Sequence, residues 1–433
     1  MNMPRGALKS AKIGAMPDAR LPDDELLDAV QRETFRFFWE VAHPVSFLAR
    51  DRNPKVGSHD DDKVSIGGTG FGVMAFIVAV ERHWVKRDEA LERLHLMLDM
   101  LERATCYHGV YPHFINGATG ATIPFWRKDD GADLVETALL FQGLLCARQY
   151  FERDTMAERR LRGRINFLWH EVEWSWHTRG GRQSLTWHWS PNNGWSLDHE
   201  IRGWNECLIT YVLAAAAPRY GIEADVYHNG FAIGRDFLNG RTYHGIELPL
   251  GPPNGGPLFF AHYSFCGLDP RGLKDRYADY WQQNTHHVRI NYEYCVRNPE
   301  GHKGYGKSCW GLTASDDPDG YSAHAPDNDN GTISPTASLA SIPYAPKEAM
   351  RALRHFLRQG DRLWGRFGFI DAFNESRDWY ADSYLAIDQG PIIVMIENHR
   401  SGLLWKLFMS ISEIQAGLKK LGFASPHFDA PVS

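Results

Sequence analysis

The sequence predicts an all-α domain in which long polar loops build the functional site. Apolar residues recur at helical spacing in many segments, whereas strand periodicity is confined to one short stretch. No Pro/Ser-rich linker or low-complexity run divides the chain. We therefore expect a single domain over residues 21–433, preceded by a disordered segment over residues 1–20.

The helical segments follow one another along the first half of the chain. In PDDELLDAVQRETFRFFWEVAH (22–43) the acids stand at the start, and one face carries Leu26, Val30, Thr34, Phe37 and Phe38. TGFGVMAFIVAVERHW (69–84) is typical of a buried helix, and RDEALERLHLMLDMLERA (87–104) of an amphipathic one. Further helices are predicted within 128–145, 155–174, 203–217, 347–359, 389–400 and 407–422. Gly, Pro, Asn and aromatic residues dominate 218–345, so this stretch is expected to supply loops.

One stretch predicts a β-hairpin at the end of the domain that carries the site. In VEWSWHTRGGRQSLTWHWSP (172–191) two W-x-W pairs flank Gly-Gly. Alternation would place Trp174 and Trp176 on one face of the first strand, and Trp187 and Trp189 on one face of the second.

Charge and composition exclude several classes of protein. The net charge of −6 argues against a nucleic-acid partner, and no apolar run approaches the roughly 18 residues of a membrane span. The six cysteines show no metal-like spacing, so free thiols are expected. The N-terminus shows no clear signal peptide, which favours a cytoplasmic location, or a periplasmic one if a native leader is missing from this chain.

The stretch KDDGADLVETALLFQGLL (128–145) joins a cluster of acids to an apolar helix. If the helix includes the whole stretch, Asp129, Asp133 and Glu136 lie on one stripe, with Asp130 beside them. Two interpretations account equally well for Asp129 and Asp130: they cap the start of the helix, or they belong to a functional site. Glu136 stands among apolar residues, where a carboxylate needs a polar cavity or a partner.

Two more acids stand at predicted helix starts. Glu206 in GWNECLITYVL is either a cap or an acid at a dry cavity mouth beside Trp204, where desolvation raises its pKa. Asp388 in IDQGPIIVMIENHR is either an N-cap or a site residue. Glu397 of the same helix is expected to pair with Arg400.

Carboxylates from three helix starts, with 15 Trp in the chain, suggest carbohydrate chemistry. Glycoside hydrolysis requires a proton donor and a second carboxylate, and flat aromatic rings stack on pyranose faces. Other motifs fail: no second His completes a zincin, the Gly-rich GGTGFG matches no nucleotide loop, and APDNDNGTISP misses the EF-hand register.

Several stretches resemble the glycoamylase-like family, best known through bacterial β-1,2-glucanases of glycoside hydrolase family 144. The resemblance covers nearly all of residues 30–424. It rests on TFRFFWEVAHP, SIGGTGFGVMAFIVAVER, KDDGADLVETALLFQGLL, WHWSP, GWNECLITYVLA, GGPLFFAHYSFCGLDPRG, WGLTASDDPDGY, SPTASLASIPYAP, GFIDAFN and IDQGPIIVMIENHRSGLLWKLF.

The resemblance implies an (α/α)6 toroid of helical hairpins with the site at one end. It also implies an inverting hydrolase of β-1,2-glucan or sophoro-oligosaccharides that uses no metal or other cofactor. The family acids correspond here to Glu206, Asp388, Asp129, Asp133 and Glu136.

We therefore expect a glycoside hydrolase with Glu206 as general acid and Asp388 or Asp133 as general base, and Asp388 is preferred. Two alternatives remain open: a non-catalytic β-glucan-binding protein and a transglycosylase. The residues expected to bind sugar are Asp129, Asp130, Glu136, His113, Trp126, Trp189, Trp204, His262 and Asp316.

Overall fold

The fold is known from a computed structural model that describes residues 16–53, 62–234 and 236–428. Residues 1–15, most of the segment expected to be disordered, lie outside the described residues. The helices are α1 (Asp23–Glu40), α2 (Ile66–Glu81), α3 (Arg87–Leu101), α4 (Leu134–Tyr150), α5 (Met156–His170), α6 (Leu208–Ala216), α7 (Ala224–Val226), α8 (Tyr280–Arg297), α9 (Pro335–Leu339), α10 (Pro346–Arg358), α11 (Ala386–Arg400), α12 (Leu403–Met409) and α13 (Ser412–Lys420).

Short antiparallel strands connect these helices and make up the β structure of the described residues. One sheet has three strands in the order β1-β2-β3, and the others are strand pairs. The strands are β1 (Lys63–Ser65), β2 (Phe114–Asn116), β3 (Thr122–Ile123), β4 (Ala132–Asp133), β5 (His188–Trp189), β6 (Leu238–Tyr243), β7 (Ile246–Leu250), β8 (Ala314–Asp317), β9 (Gly320–Ala323), β10 (Trp364–Gly365), β11 (Gly368–Phe369), β12 (Phe373–Asn374) and β13 (Trp379–Tyr380).

Inner and outer helices differ in how much of their surface is buried. Every residue of α6, and nearly every residue of α2, α4 and α11, is buried. In α1, α3, α5 and α10 the buried residues form one face and the opposite face is solvated. Since α2 packs against both α4 and α11, and α1 against α11, the apolar helices lie inside and the amphipathic ones outside.

The Gly-rich start of α2 serves helix packing. A Cβ placed on Gly70 would lie 2.1 Å from the backbone oxygen of Leu139 in α4. A Cβ on Gly143 of α4 would in turn lie 2.0 Å from the backbone oxygen of Gly70. The backbones of the two inner helices therefore contact each other directly. This packing accounts for the glycines of GGTGFG, and no nucleotide-binding role is needed to explain them.

The hairpin predicted over 172–191 is wrong. Residues Trp174–Thr178 form a short 3-10 helix, and the strand His188–Trp189 pairs with Ala132–Asp133 instead. The aromatic pattern arises because Trp174 is buried in the core, while Trp176 packs edge-on against Trp189 with ring centroids 5.4 Å apart.

Two other local predictions are corrected. Helix α4 begins at Leu134, so Asp129, Asp130 and Asp133 precede the helix and form no helical stripe. Glu397 pairs with Arg82 at the end of α2, at 2.8 and 2.9 Å, and joins the two inner helices rather than bonding to Arg400.

The expected free thiols are confirmed: all six cysteines, which lie within the described residues, are unpaired, and all except Cys106 are buried. In the described part of the chain, no helix combines the length and apolar character that a bilayer span requires.

Candidate active site

The N-termini of three inner helices lie together at one end of the molecule. The Glu136 carboxylate in the first turn of α4 accepts a hydrogen bond from the Gly67 backbone at the start of α2, at 2.7 Å. Ala386 at the start of α11 lies against Gly68, where an added Cβ would be 2.6 Å from that of Ala386. The partial positive charges of these helix ends therefore face the same region, which favours carboxylates there.

Asp133 is held as an ionised N-cap of α4. Its Oδ1 accepts the backbone N–H of Val135 and Glu136 at 3.0 and 2.9 Å, and the indole N–H of Trp187 at 3.0 Å. Its Oδ2 lies 3.2 Å from Nδ1 of His113. Burial opposes ionisation, but the hydrogen bond and charge of His113 outweigh it and lower the Asp133 pKa.

His113 lies between two carboxylates. Its Nδ1 faces Asp133, and its Nε2 is 3.8 Å from Glu136. Burial disfavours the imidazolium, yet the charge of Glu136 and the bond to Asp133 raise the His113 pKa to about 9. His113 is therefore a cation at neutral pH, and both ring nitrogens are engaged by protein groups.

Asp129 and Asp130 lie in the loop that precedes β4. The backbone of Asp129 forms a tight turn with Trp126, and its carboxylate is 3.7 Å from Nδ1 of His188. Burial and the charge of Asp133 raise the Asp129 pKa to about 7. Asp130 accepts a hydrogen bond of 2.6 Å from the Asn192 side chain. Neither acid caps a helix.

Glu206 lies in the loop before α6, two residues ahead of the first helical residue. Its side chain is half-buried, yet burial raises its pKa to about 7, with smaller contributions from the charges of Asp133 and Glu136. A carboxyl that is desolvated and still reachable from solvent is expected on the floor of a cleft.

Trp204 packs in the core beneath the loop that carries Glu206. It is only 2% exposed, and its ring packs against Phe265 and Tyr280. The prediction that Trp204 binds sugar is therefore wrong, because the ring has no face open to a ligand. It helps to exclude water from the region beneath Glu206.

A second acid cluster surrounds the first turn of α11. Asp388 is the third residue of this helix, and its carboxyl lies beside that of Asp371, so repulsion between two negative charges favours a proton on one of them. The other Asp371 oxygen accepts the backbone N–H of Asp316 at 2.8 Å. Burial raises the pKa of both carboxyls, that of Asp371 to about 7.

Asp316 is the third acid of this cluster, and neighbouring side chains balance its negative charge. Its carboxylate lies 3.1 Å from the Arg52 guanidinium and accepts a hydrogen bond of 2.5 Å from the Ser383 hydroxyl. Asp316 therefore orients Asp371 through its backbone and binds Arg52 through its side chain.

Tyr263 connects the two clusters. It is buried against Phe71 of α2, with ring centroids 5.4 Å apart. Burial raises the pKa of its phenol well above the usual range, and the charges of Asp388 and Glu206 act in the same direction, as does that of Glu136. The charges of both clusters thus act on one buried phenol, so Glu206 and Asp388 lie on the same side of the molecule.

Exposed aromatic rings flank the clusters. Phe125 and Trp126 are 56% and 60% exposed in the loop beside His113, and the Phe125 ring lies 4.5 Å from that imidazole. Tyr321 of β9 is 52% exposed, and its phenol lies in the field of Asp388 and Asp371. Trp189 is half-buried and packs on Tyr107. These rings could stack on sugar at either end of a groove.

His262 is not brought to this site. It is 2% exposed and lies 2.9 Å from the Ser341 hydroxyl. Burial lowers its pKa to about 3, so it is a neutral core histidine. The predicted sugar contact of His262 is therefore wrong.

One set of donor atoms near the acids has the spacing of a cation site. Oxygens of Asp129 and Asp133 and a ring nitrogen of His188 all lie within 4.8 Å of one another. Asp133 is already saturated by three N–H donors and by His113, however. The arrangement therefore already balances the Asp133 charge without a metal ion.

Sequence reasoning missed Asp371, Tyr263, Tyr321 and Arg52. Asp371 and Tyr263 lie inside two stretches that carry the family resemblance, GFIDAFN and GGPLFFAHYSFCGLDPRG. No spacing rule connects them to Asp388 or Glu206, because the contacts span many residues along the chain.

Comparison with known proteins gives consistent matches. The glycoamylase family model, described as "Putative glucoamylase", matches residues 198–412. The endo-β-1,2-glucanase of Chitinophaga pinensis, solved with sophorotriose and glucose, is 50% identical; the match covers 94% of this chain and 100% of that chain, with a TM-score of 0.91. A Bacteroides uniformis protein solved as a "putative glucoamylase" is 56% identical over 95% of this chain and 100% of its own, with a TM-score of 0.92.

A curated relative is similar over nearly the whole chain. The exo-β-1,2-glucooligosaccharide sophorohydrolase (non-reducing end) of Parabacteroides distasonis is 44% identical over 423 residues, which is 93% of this chain. The chain spans 58% of the length of that relative.

Proposed function

The chain belongs to the glycoamylase-like family, and from that membership and its acid clusters we propose that it hydrolyses β-1,2-linked glucose. The substrates are β-1,2-glucan or sophoro-oligosaccharides, the chemistry named for its relatives. The observation that carries the proposal is the shared position of Glu206 and the Asp388–Asp371 pair around Tyr263.

Glu206 is the general acid in this proposal. Its pKa of about 7 leaves a large protonated fraction near neutrality, while its half-buried position lets a substrate reach it. It donates its proton to the glycosidic oxygen as the bond to the anomeric carbon breaks, and the leaving sugar departs as an alcohol.

The Asp388–Asp371 pair is the general base. With one proton shared between two carboxyls, the pair carries one negative charge. The ionised carboxyl of the pair accepts a proton from a water molecule, whose oxygen then bonds to the anomeric carbon on the face opposite the leaving group. This step inverts the anomeric centre.

Asp133 is the weaker choice of base. Its pKa is lowered, and three N–H donors and His113 occupy its lone pairs. A carboxylate so well satisfied has little tendency to take a proton from water. Asp133 instead fixes the start of α4 and, with Glu136, holds His113.

Sugar binding falls to the rim of the clusters. The exposed rings of Trp126, Phe125 and Tyr321 offer flat faces toward solvent, and half-buried Asp130 keeps one carboxylate oxygen without a hydrogen-bond partner in the described part of the chain. Each hydrogen bond to a sugar hydroxyl is worth about 1 kcal/mol net. Trp189, Asp129, Glu136 and Asp316 are proposed to shape the floor of the groove.

We further propose that the helices form six hairpins around one axis. The alternation of outer α1, α3 and α5 with inner α2, α4 and α6 supports this arrangement, as does the outer α10 before the inner α11. The acids then gather where the inner helices begin.

The test is a screen of purified protein against linkage-defined glucans, followed by NMR of the first-formed anomer. We expect β-1,2-glucan or sophoro-oligosaccharides to be cleaved and the α-anomer to appear first. Tight binding without new reducing ends would instead indicate a binding protein, and longer products a transglycosylase. Cleavage confined to another linkage would contradict the proposed substrate.

A further inference from the structure

A second cluster of chemically reactive side chains lies outside the acid site. The Cys309 sulfur, a His355 ring nitrogen and a Glu375 carboxylate oxygen all lie within 4.8 Å of one another. They come from three distant parts of the chain: a turn before β8, helix α10, and the residue that follows β12. No residue of this cluster belongs to the proposed hydrolytic machinery.

The turn that carries Cys309 is rigidly built. The backbones of Gly306 and Cys309 exchange two hydrogen bonds of 3.0 and 3.1 Å, and Cys309 is 2% exposed. A Cβ on Gly304, which has φ +89°, would lie 2.5 Å from the Glu375 carboxylate. Glycine at this position thus lets the backbone pass directly beside that carboxylate.

The carboxylate of Glu375 has unused acceptor capacity. In the part of the chain that the structure describes, no N–H or O–H group donates a hydrogen bond to it, and no basic side chain lies within ion-pair distance. The side chain is half-buried, so its lone pairs are open to a ligand that arrives from solvent. Its near neighbours in the cluster are a thiol and an imidazole.

His355 is oriented by a neighbour one turn along α10. The amide nitrogen of Gln359 lies 3.3 Å from its Nε2. A metal-binding histidine commonly needs such a partner on its second nitrogen, which fixes the ring orientation. Gln359 supplies this partner if its amide turns its oxygen toward that nitrogen.

We propose that Cys309, His355 and Glu375 bind one zinc ion, with a water molecule at the fourth position. Thiolate, imidazole and carboxylate are the three ligand types that Zn²⁺ prefers, and four-coordinate geometry places neighbouring ligand atoms closer than the 4.8 Å limit observed here. Binding displaces the thiol proton of Cys309 to solvent and forms the zinc–sulfur bond.

The bound ion connects segments that lead to the acid site. Cys309 precedes β8, which carries Asp316, and Glu375 follows Asp371 by four residues. Zinc at this position joins both segments to α10 and stabilises the loops on which Asp316 and Asp371 lie.

Cobalt(II) tests the proposal because a thiolate ligand gives it a charge-transfer band in the near ultraviolet. Metal-stripped full-length protein is titrated with Co²⁺, then with Zn²⁺ as competitor. We expect one equivalent of Co²⁺ to produce the band and Zn²⁺ to abolish it. The acid cluster around Asp129 contains no cysteine, so it cannot give this signal.

Cys309→Ser should remove the band, and Cys106→Ser, at an exposed cysteine, should retain it. Glu375→Gln changes a half-buried group that accepts no hydrogen bond from the described residues, and it should weaken Co²⁺ binding by about 100-fold or more, since loss of outer-shell partners alone costs about 10–100-fold. Absence of the band in wild type, its persistence in Cys309→Ser, or unchanged affinity in Glu375→Gln would overturn the proposal. If Cys309→Ser does not fold, Glu375→Gln decides the question.

Discussion

At the scale of the residue, the environment of each carboxyl determines its chemical role. Asp133 receives N–H donors and a cation, and its pKa falls. No side chain donates a hydrogen bond to the Glu206 carboxyl in the described part of the chain. Because burial removes water from its carboxyl, the pKa of Glu206 rises to about 7. Asp388 faces another carboxyl, which keeps a proton between the two. These environments suit the three acids to the proposed roles of anchor, proton donor and base.

The pH dependence of kcat/KM follows from these directions. Activity requires protonated Glu206, so kcat/KM should fall as the pH rises through about 7. It also requires the singly protonated Asp388–Asp371 pair, so kcat/KM should fall at acid pH as the pair takes up a second proton. A rate that does not decline above neutral pH would contradict the role of Glu206.

Asp371→Asn tests the pair. In the wild type the acidic limb reports uptake of a second proton by the pair, whose shared proton holds that pKa below the pKa of a lone buried carboxyl. In Asp371→Asn the limb reports protonation of Asp388 alone, so it should move to higher pH by about 1 unit or more. Asp361→Asn, at an exposed position, is the control. An unshifted limb in Asp371→Asn would reduce Asp371 to a structural role.

Residue types at the site were predictable, but their partners were not. Acids at helix starts and exposed aromatics stand out in the sequence, and Asp129, Asp133, Glu136, Glu206 and Asp388 do meet at one end. Asp371 was missed because its contact with Asp388 depends on how the segment between β11 and β12 lies near α11. Trp204 and His262 were misjudged since a ring suited to sugar contact is equally suited to a core.

At the scale of the element, burial on all sides made the inner helices recognisable. Their apolar sequences identified α2, α4, α6 and α11, and amphipathic spacing identified α1 and α3. The first residues of the helices were less predictable. Helix α4 begins at Leu134, after the predicted start near residue 128, because the Asp133 side chain caps it there. The predicted hairpin is wrong because strand β5, which contains His188 and Trp189, pairs with β4 and not with residues 172–178.

Gly70→Ala tests the close approach of α2 and α4. The added Cβ would lie 2.1 Å from a backbone oxygen, so one helix must move. We expect the free energy of unfolding to fall by about 1–3 kcal/mol or more, as for other overpacked cores. Chemical denaturation measures the change.

The matched control is Gly163→Ala on the outer helix α5. Nothing lies within 4 Å of a Cβ at that position. Because alanine favours helix, the variant should gain roughly 0.5–1 kcal/mol. Equal effects of the two substitutions would contradict direct backbone packing at Gly70.

At the scale of the whole molecule, the fold gathers acids that are far apart in the sequence. Asp133, Glu206 and Asp388 stand near the starts of three inner helices, and those starts lie on one side of the domain. The inner helices were predictable from sequence patterns, and the family resemblance implied a toroid of helical hairpins. Neither gave the sharing of charge around Tyr263, since that depends on distances set by the assembled fold.

The most direct measurement of the central claim is the turnover of Glu206→Gln on sophoro-oligosaccharides. Glutamine keeps the shape of the side chain but cannot donate the proton, so kcat should fall by about 100-fold or more. Thermal unfolding of the variant should resemble that of wild type, and Glu200→Gln, at a salt-bridged surface position in the same loop, should leave kcat unchanged. Turnover of Glu206→Gln close to that of wild type would contradict the account.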